Sequence, residues 1–444
     1  RQQVDSQRKQ IERLQSALEK QQHELDKVMR IIGAHPDPVP AASEEDAAAW
    51  DQRLAKIETD VAAHEKANNE KIGRLSKLSF SGDIRVRYET SFQQGAANRN
   101  RERVRARFNM TGRLSEEFSG GLSLATGSLD EPISANQTLT GFFNRKNFGI
   151  DKAWITYKPK YAPLLKLDAG KFASPWHHTA LTFDRDLNPE GFAETLSFDL
   201  NAPVLKNITA VGFQLPFNET AVGQDSFILG GQIQTHIRIH SRARLALYGA
   251  GINVNRADPI AVASANGTLR PSLPNTNTYR YDTSGTVVGY ASKFAYLDAI
   301  VRLDLDTHPR FPTAFQFDFL NNVRGPRERS AYRADLIFGR LKESGDVQFS
   351  YSFIRIEKDA VIGAWNESDM RAPTNLRNHR LHAGFMFKGN FTAEFTAWIG
   401  KLANPWDNVD LVPSGVRGAC SGAVVSGCED PYLKRLQLDL TYHF

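Results

Sequence analysis

From Phe80 onward, apolar and polar side chains alternate with a period of two in segments of about ten residues. The last segment is the clearest. Leu436, Leu438, Leu440, Tyr442 and Phe444 share one face, and Arg435, Gln437, Asp439, Thr441 and His443 share the other. The pattern recurs over 227–239, 297–305, 347–353, 381–387 and 391–399. Period two excludes helices and requires strands with chemically distinct faces. Alternation alone does not say which face is turned inward, because a water-soluble sheet and a membrane barrel share it with opposite polarity.

The connections separate the two cases. About 16 strands are predicted, starting near 80, 101, 118, 149, 165, 192, 207, 227, 242, 288, 312, 331, 346, 379, 391 and 433. The links at 115–117, 240–241, 342–345 and 388–390 are short, whereas 131–148, 172–191, 256–284, 358–378 and 402–432 are long. Short turns on one side and long loops on the other are the pattern of a transmembrane barrel, with apolar side chains toward lipid and polar ones toward a lumen. The fold class expected is therefore an all-β, 16-stranded antiparallel outer-membrane β-barrel, preceded by an α-helical coiled-coil segment. An even strand count places both barrel ends on the short-turn, periplasmic side, with the long loops extracellular. The stretch 285–306 reads as one long strand or two short ones. No run of 18 apolar residues exists, so no membrane-crossing helix is predicted. The mean hydropathy of −0.43 fits a chain that dilutes its apolar residues by alternation.

Before the strands the period changes. Val4, Ile11, Leu18, Leu25 and Ile32 recur every seven residues, with Gln7, Leu14, Gln21 and Val28 at the second seam position. This predicts a periplasmic coiled-coil helix over 1–33, ended by Gly33. A linker with Pro36, Pro38 and Pro40 fills 34–42. A second helix over 43–78 is capped by Ser43 and carries Trp50, Leu54, Ile57, Val61 and Leu75 on its apolar side. The barrel occupies 79–444. A coil between subunits is the favoured arrangement and an internal hairpin the alternative; Gln7 and Gln21 are compatible with a trimer without fixing the number. The chain opens on Arg1 with no apolar leader, as expected of a processed, exported sequence.

No phosphate loop or nucleophile elbow occurs, and nothing calls for an enzyme, a cofactor or nucleic acid. His177 and His178 are adjacent, so on a strand they face opposite ways, and no metal site is expected. Cys420 and Cys428, in a Gly/Ser-rich loop, are expected to form a local disulfide in an oxidising compartment. The most informative segment is the second strand, where Arg101, Arg103, Arg105 and Arg107 share one face, with Val104, Ala106 and Phe108 on the other. With the apolar face toward lipid, the guanidinium groups point into the lumen, beside Arg85 and Arg87 of the first strand. Such a stripe favours anions, unless its members pair with Asp83, Glu89 or other lumenal acids.

The stretches FSGDIRVRYE (80–89), LTFDRDLNPEG (181–191) and YSFIRIEKDAVIGAWNESD (351–369) resemble the putative porin family of Gram-negative bacteria. The run LQLDLTYHF, with Tyr442 and the terminal Phe444, resembles the signal read by the barrel assembly machinery. The resemblance implies a homotrimeric barrel among outer-membrane lipids, lipopolysaccharide included, for passive diffusion of small hydrophilic solutes. It also implies that the third long loop narrows the pore, which makes Trp176, His177, His178, Asp184, Arg185, Asp186 and Glu190 candidates for the constriction. The coil is similar to coils attached to trimeric porins, leaving a periplasmic or cell-wall partner as an expectation. A general channel with mild anion preference is the leading function. A phosphate-like, substrate-specific channel and a structural protein joining membrane to periplasm are the alternatives.

Overall fold

The computed structural model describes Lys27 and residues 77–269, 275–420 and 427–444. The chain divides into two units, Arg1–Leu75 and Ser76–Phe444. The heptad helix, the proline linker and nearly all of the second helix lie outside the described residues.

Ser76–Phe444 forms one antiparallel sheet closed on itself. Its strands are β1 (Leu78–Phe92), β2 (Arg99–Arg113), β3 (Phe118–Thr126), β4 (Phe148–Tyr157), β5 (Leu165–Lys171), β6 (Glu190–Asp199), β7 (Leu205–Asn218) and β8 (Ser226–His240). The second half comprises β9 (Ala243–Asn255), β10 (Phe294–Leu305), β11 (Thr313–Asn322), β12 (Ser330–Gly339), β13 (Val347–Ile356), β14 (Leu376–Met386), β15 (Phe391–Leu402) and β16 (Leu433–His443). Each strand pairs with its neighbours in sequence, and β16 closes the ring on β1, from Asp83↔His443 to Phe92↔Lys434. Closure leaves no sheet edge, as spanning a membrane requires. At the seam, Gly82 exchanges backbone hydrogen bonds with Phe444 (2.8 and 3.1 Å). A Cβ at Gly82 would meet the Phe444 ring at 2.5 Å, so this outward position admits no side chain.

The sixteen strands begin close to where the alternation placed them. The ambiguous stretch resolves into two elements. Val287–Tyr290 pairs with Tyr279–Tyr281 as a hairpin within the loop, and the barrel strand starts only at Phe294. None of the connections on the side of the chain's two barrel ends exceeds seven residues, whereas 127–147, 172–189, 256–293, 357–375 and 403–432 all lie at the other end. A short helix, α1 (Asp258–Ala265), sits in the loop after β9.

The wall is inside out relative to a water-soluble protein. Ile84, Val86, Tyr88, Ile233, Leu297, Phe315, Phe349, Phe395, Leu438 and Leu440 all stand exposed on the outer face. Their alternate neighbours, among them Asp83, Arg87, Glu89, Gln232, Asp298, Gln316, Asp318, Gln437 and Asp439, are buried inside. An uninterrupted apolar exterior is far beyond what a soluble monomer exposes, and it is what hydrocarbon requires.

The loop end is filled differently. Phe172, Trp176, Leu181, Phe183, Phe213, Leu215, Ile252, Tyr290, Phe294, Ile356, Ile362 and Trp365 form one buried apolar cluster. Near the loops the inner face thus turns from polar to apolar, as in Phe213 and Leu215 of β7 and Ile354 and Ile356 of β13. Trp176 stacks on Phe213 at 4.0 Å, and Phe217 meets Trp365 edge-on at 5.2 Å. Burying these rings, at roughly 2 kcal/mol each, holds the 172–189 and 357–375 loops down instead of leaving them in solvent.

Candidate functional site

The long cross-strand register of β1 and β2 sets the arginines side by side, with Arg85 opposite Arg105 and Arg87 opposite Arg103. Like charges in direct opposition repel, and the chain interleaves carboxylates to hold them. Arg87 grips Asp439 of β16 with two hydrogen bonds (2.7 and 2.8 Å) and reaches Asp369 at 3.1 Å. Asp83 receives Arg105 (2.6 and 2.9 Å) and Arg107 (2.7 Å). Glu89 takes Arg101 directly and lies 3.9 Å from Arg103. Arg85 donates to Asn136 at 2.6 Å, with Asp439 at 3.9 Å. Each of the six stripe arginines therefore has a carboxylate within 4 Å. The stripe is a compensated lattice, not a row of bare cations.

The 172–189 loop crosses to inward-facing side chains on the far wall. The His177 amide donates to Gln232 Oε1 on β8, and Gln232 Nε2 donates back to the His177 carbonyl, both at 2.8 Å. The His177 ring stacks on Tyr248 at 4.2 Å and lies 3.2 Å from Gln316. Thr179 donates to Asp318 on β11, and Thr182 to Asp298 on β10 at 3.2 Å. Beyond these anchors the chain turns back toward the arginines, leaving Asp186 3.5 Å from Arg107. His178 packs edge-on against Phe183, and burial holds its imidazole down to about 4, so it is neutral at ordinary pH. The two histidines point to different partners. Among the described residues no three His, Cys, Asp or Glu side chains gather as a metal site.

Of the loop acids, Asp186 and Asp184 lie among the arginines, but Glu190 does not. Glu190 opens β6 and pairs with Lys171 of the adjacent strand at 2.9 Å, largely exposed. Its place outside the group follows from the loop ending at Pro189, two residues earlier than the expected 172–191.

The 357–375 loop, to which no role falls from the sequence, supplies the rest. The Asp184 amide donates to the Trp365 carbonyl (2.8 Å), and the Ser368 amide donates to the Asp184 carboxylate (3.2 Å). Asp369 stands between Arg87 (3.1 Å) and Arg435 (3.6 Å). Burial alone would raise its pKa, but Arg87 and Arg435 outweigh it and hold the carboxyl well below the ordinary range. Asp184 and Glu367 go the other way. Burial, then mutual repulsion among Asp184, Glu367 and neighbouring acids, pushes both carboxyls up. Arg380, Glu394, Trp398 and Gln437 of β14–β16 complete the surroundings.

These groups enclose a cavity of about 350 Å³. Six cations line it (Arg85, Arg87, Arg105, Arg107, Arg185, Arg380), against six carboxyl groups (Asp184, Asp186, Glu367, Asp369, Glu394, Asp439). Among the described residues Arg185 forms no ion pair within 4 Å, and its side chain is exposed within the cavity. Arg380 of β14 likewise has no carboxylate within 4 Å among the described residues, and Arg185 stands in the field of Glu367, Asp184, Asp186 and Asp369, which keeps its guanidinium charged. Elsewhere, Cys420 and Cys428 are joined as a disulfide. Tyr442 packs against Phe391 at 4.8 Å and near Phe444 at 6.1 Å, on the outer face at the seam.

A closed, inside-out barrel of sixteen antiparallel strands with infolded loops defines the class, a transmembrane β-barrel of porin type. Within that class, residues 92–256 match the family described as putative porin. No curated protein matches the chain. Among solved structures, OprB of Pseudomonas putida shares the fold at a TM-score of 0.50 and 11% identity, over 85% of this chain and 97% of that one. OmpF of Salmonella typhi, solved with daunomycin, aligns at 0.47 and 10% over 83% and 97%. OmpT of Vibrio cholerae in its trimer form aligns at 0.44 and 8% over 83% and 99%.

Proposed function

We propose that the chain is an outer-membrane diffusion channel for small hydrophilic solutes, narrowed where the β1–β2 arginines face the 172–189 and 357–375 loops, and mildly selective for anions. The observation that carries this reading is the polar cavity between wall and loops, where the loop acids Asp186 and Asp369 face the wall arginines Arg107 and Arg87. Opposed charges across a narrow passage of low dielectric create a transverse field that screens solutes by polarity as well as size. The anion preference rests on two features of the lining. Arg185 and Arg380 have no carboxylate within 4 Å among the described residues, and burial biases Asp184 and Glu367 toward their neutral forms. With cations and acids equal in number, two partly neutral acids leave a positive surplus.

A phosphate-like specific channel is less favoured, because each stripe arginine already has a carboxylate partner where a phosphate would sit. We further read the long loops as extracellular, the barrel ends as periplasmic, the assembly as a homotrimer, and the last strand as the segment offered to the assembly machinery. The N-terminal heptads would then join subunits in the periplasm, with a cell-wall partner as a further role. Planar-bilayer recording in a salt gradient tests the channel. Stepwise currents with an anion-sided reversal potential are expected, and silence of the protein would favour the structural role.

A further inference from the structure

We propose that the outer face of β13–β16, at the loop end of the barrel, is a binding site for a phosphorylated lipid headgroup. Arg355, Arg377 and Lys401 are direct cross-strand partners on three successive strands, Arg355↔Arg377 and Arg377↔Lys401. All three point outward. They share a face with the exposed Phe349, Leu381 and Phe395, while their alternate neighbours Ile354, Asn378 and Leu402 are at most 1% exposed inside. Lys434 of β16 lies diagonally beside Lys401, since it pairs with Ile399. The row therefore crosses four strands, about 15 Å at the usual strand spacing.

Three cations in direct register repel one another, and no folding requirement asks for them. The face supplies one acid, Glu357, 3.6 Å from Arg355. Among the described residues Arg377, Lys401 and Lys434 have no carboxylate within 4 Å. The two lysine heads lie over aromatic rings instead, Lys401 over Tyr432 at 5.2 Å and Lys434 over Phe92 at 6.0 Å. Just below the row, toward the middle of the barrel, Tyr351, Phe353 and His379 form an aromatic layer. Phe353 lies 5.2 Å from His379, which hydrogen-bonds Tyr351 Oη at 2.8 Å. Aromatic side chains of barrels gather at the membrane interface. Cations one step beyond them meet the headgroups, where guanidinium and ammonium groups bind phosphate oxygens by charge-assisted hydrogen bonds. The width of the row fits a headgroup carrying two phosphates better than a single small anion. This inference rests on reading the loop end as the outer side of the membrane.

The full chain, purified in a neutral detergent, is titrated with diphosphorylated lipid A and bound lipid counted by native mass spectrometry. The R377E/K401E double variant should bind at least tenfold more weakly. The K388E variant, altered at the opposite end of the barrel, should bind as the unaltered chain does. Equal lipid binding by R377E/K401E and the unaltered chain overturns the proposal. So does displacement of the lipid by inorganic phosphate at matching concentration, which would make the row a small-anion site. Loss of oligomer in R377E/K401E without loss of lipid would assign the face to a subunit contact. Single-channel conductance on the same preparations tests the channel itself, so a failure of that reading is distinguishable.

Discussion

Replacing Arg185 by Gln isolates the source of selectivity, because this guanidinium is exposed in the cavity and forms no ion pair among the described residues. Its removal breaks no ion pair within 4 Å but takes a favourable charge from buried Glu367, so the cost in stability should be about 1 kcal/mol, less than that of truncating Arg87 or Arg105. A sphere with the cavity's volume of about 350 Å³ has a radius of about 4 Å, so a permeating ion passes roughly 5 Å from the charge. At that distance a unit charge contributes about 0.8 kcal/mol in bulk water and about 3 kcal/mol at an effective dielectric constant of 20. Mobile ions at physiological salt reduce either figure by about half. A working value near 0.5 kcal/mol per ion, acting with opposite sign on anion and cation, sums to about 1 kcal/mol and so to about a fivefold change in their permeability ratio. Arg185→Gln should therefore lower anion-over-cation permeability about fivefold, read as the shift of reversal potential in a KCl gradient across a planar bilayer. An unmoved reversal potential, or a shift toward anions, would refute the assignment of the surplus charge to Arg185.

Selectivity should also depend on pH in a definite direction. Asp184 and Glu367 have raised pKa values, so they stay neutral above the ordinary carboxylate range and become charged as pH rises through their shifted values. Anion preference should fall as pH rises above the ordinary carboxylate range, and the stability contributed by their neutral forms should fall with it; a flat profile, or one unaltered in D184N/E367Q, would contradict this. The triple variant R103A/R105A/R107A should lower anion preference and leave Asp83 without its two partners, costing about 3 kcal/mol or more, which thermal unfolding would register. Deleting 176–187 removes the anchors at Gln232, Asp298 and Asp318 and should raise single-channel conductance; unchanged conductance would show that the loop does not narrow the pore. Cys420 and Cys428 are eight residues apart, so their bond is worth about 2.5 kcal/mol of loop closure. C420S/C428S should speed proteolysis of the 403–432 loop while leaving the barrel's melting unchanged.

The barrel was legible in the sequence because period-two alternation survives wherever one face meets hydrocarbon. The last strand shows it undiluted, and strand starts such as Phe118, Leu165, Phe391 and Leu433 fall where the pattern begins. Legibility fails near the loops, where Phe213, Leu215, Ile354 and Ile356 make the inner face apolar too. Runs such as FQLPF and IRIEKDAVIGAW carry that signal, since apolar residues on both faces mark where infolded loops pack against the inner wall. The same runs explain why the 357–375 loop folds inward, and so why Glu367 and Asp369 enter the site without a motif. The arginine stripe and its possible pairing with Asp83 and Glu89 could be read from spacing, but the part played by Asp439 could not. Asp439 lies 352 residues from Arg87 in sequence, and only ring closure makes them neighbours. Arg185 could be named as a loop candidate, but its place beside Glu367 and Asp369 of the 357–375 loop is a property of the folded site alone.

The central claim is that a water-filled passage runs between the β1–β2 arginines and the two infolded loops. Single-channel recording of the unaltered chain in a tenfold KCl gradient tests it most directly. Discrete, ohmic current steps are expected, with a reversal potential modestly on the anion side. Absence of steps above the lipid background, or a reversal potential clearly on the cation side, would contradict it.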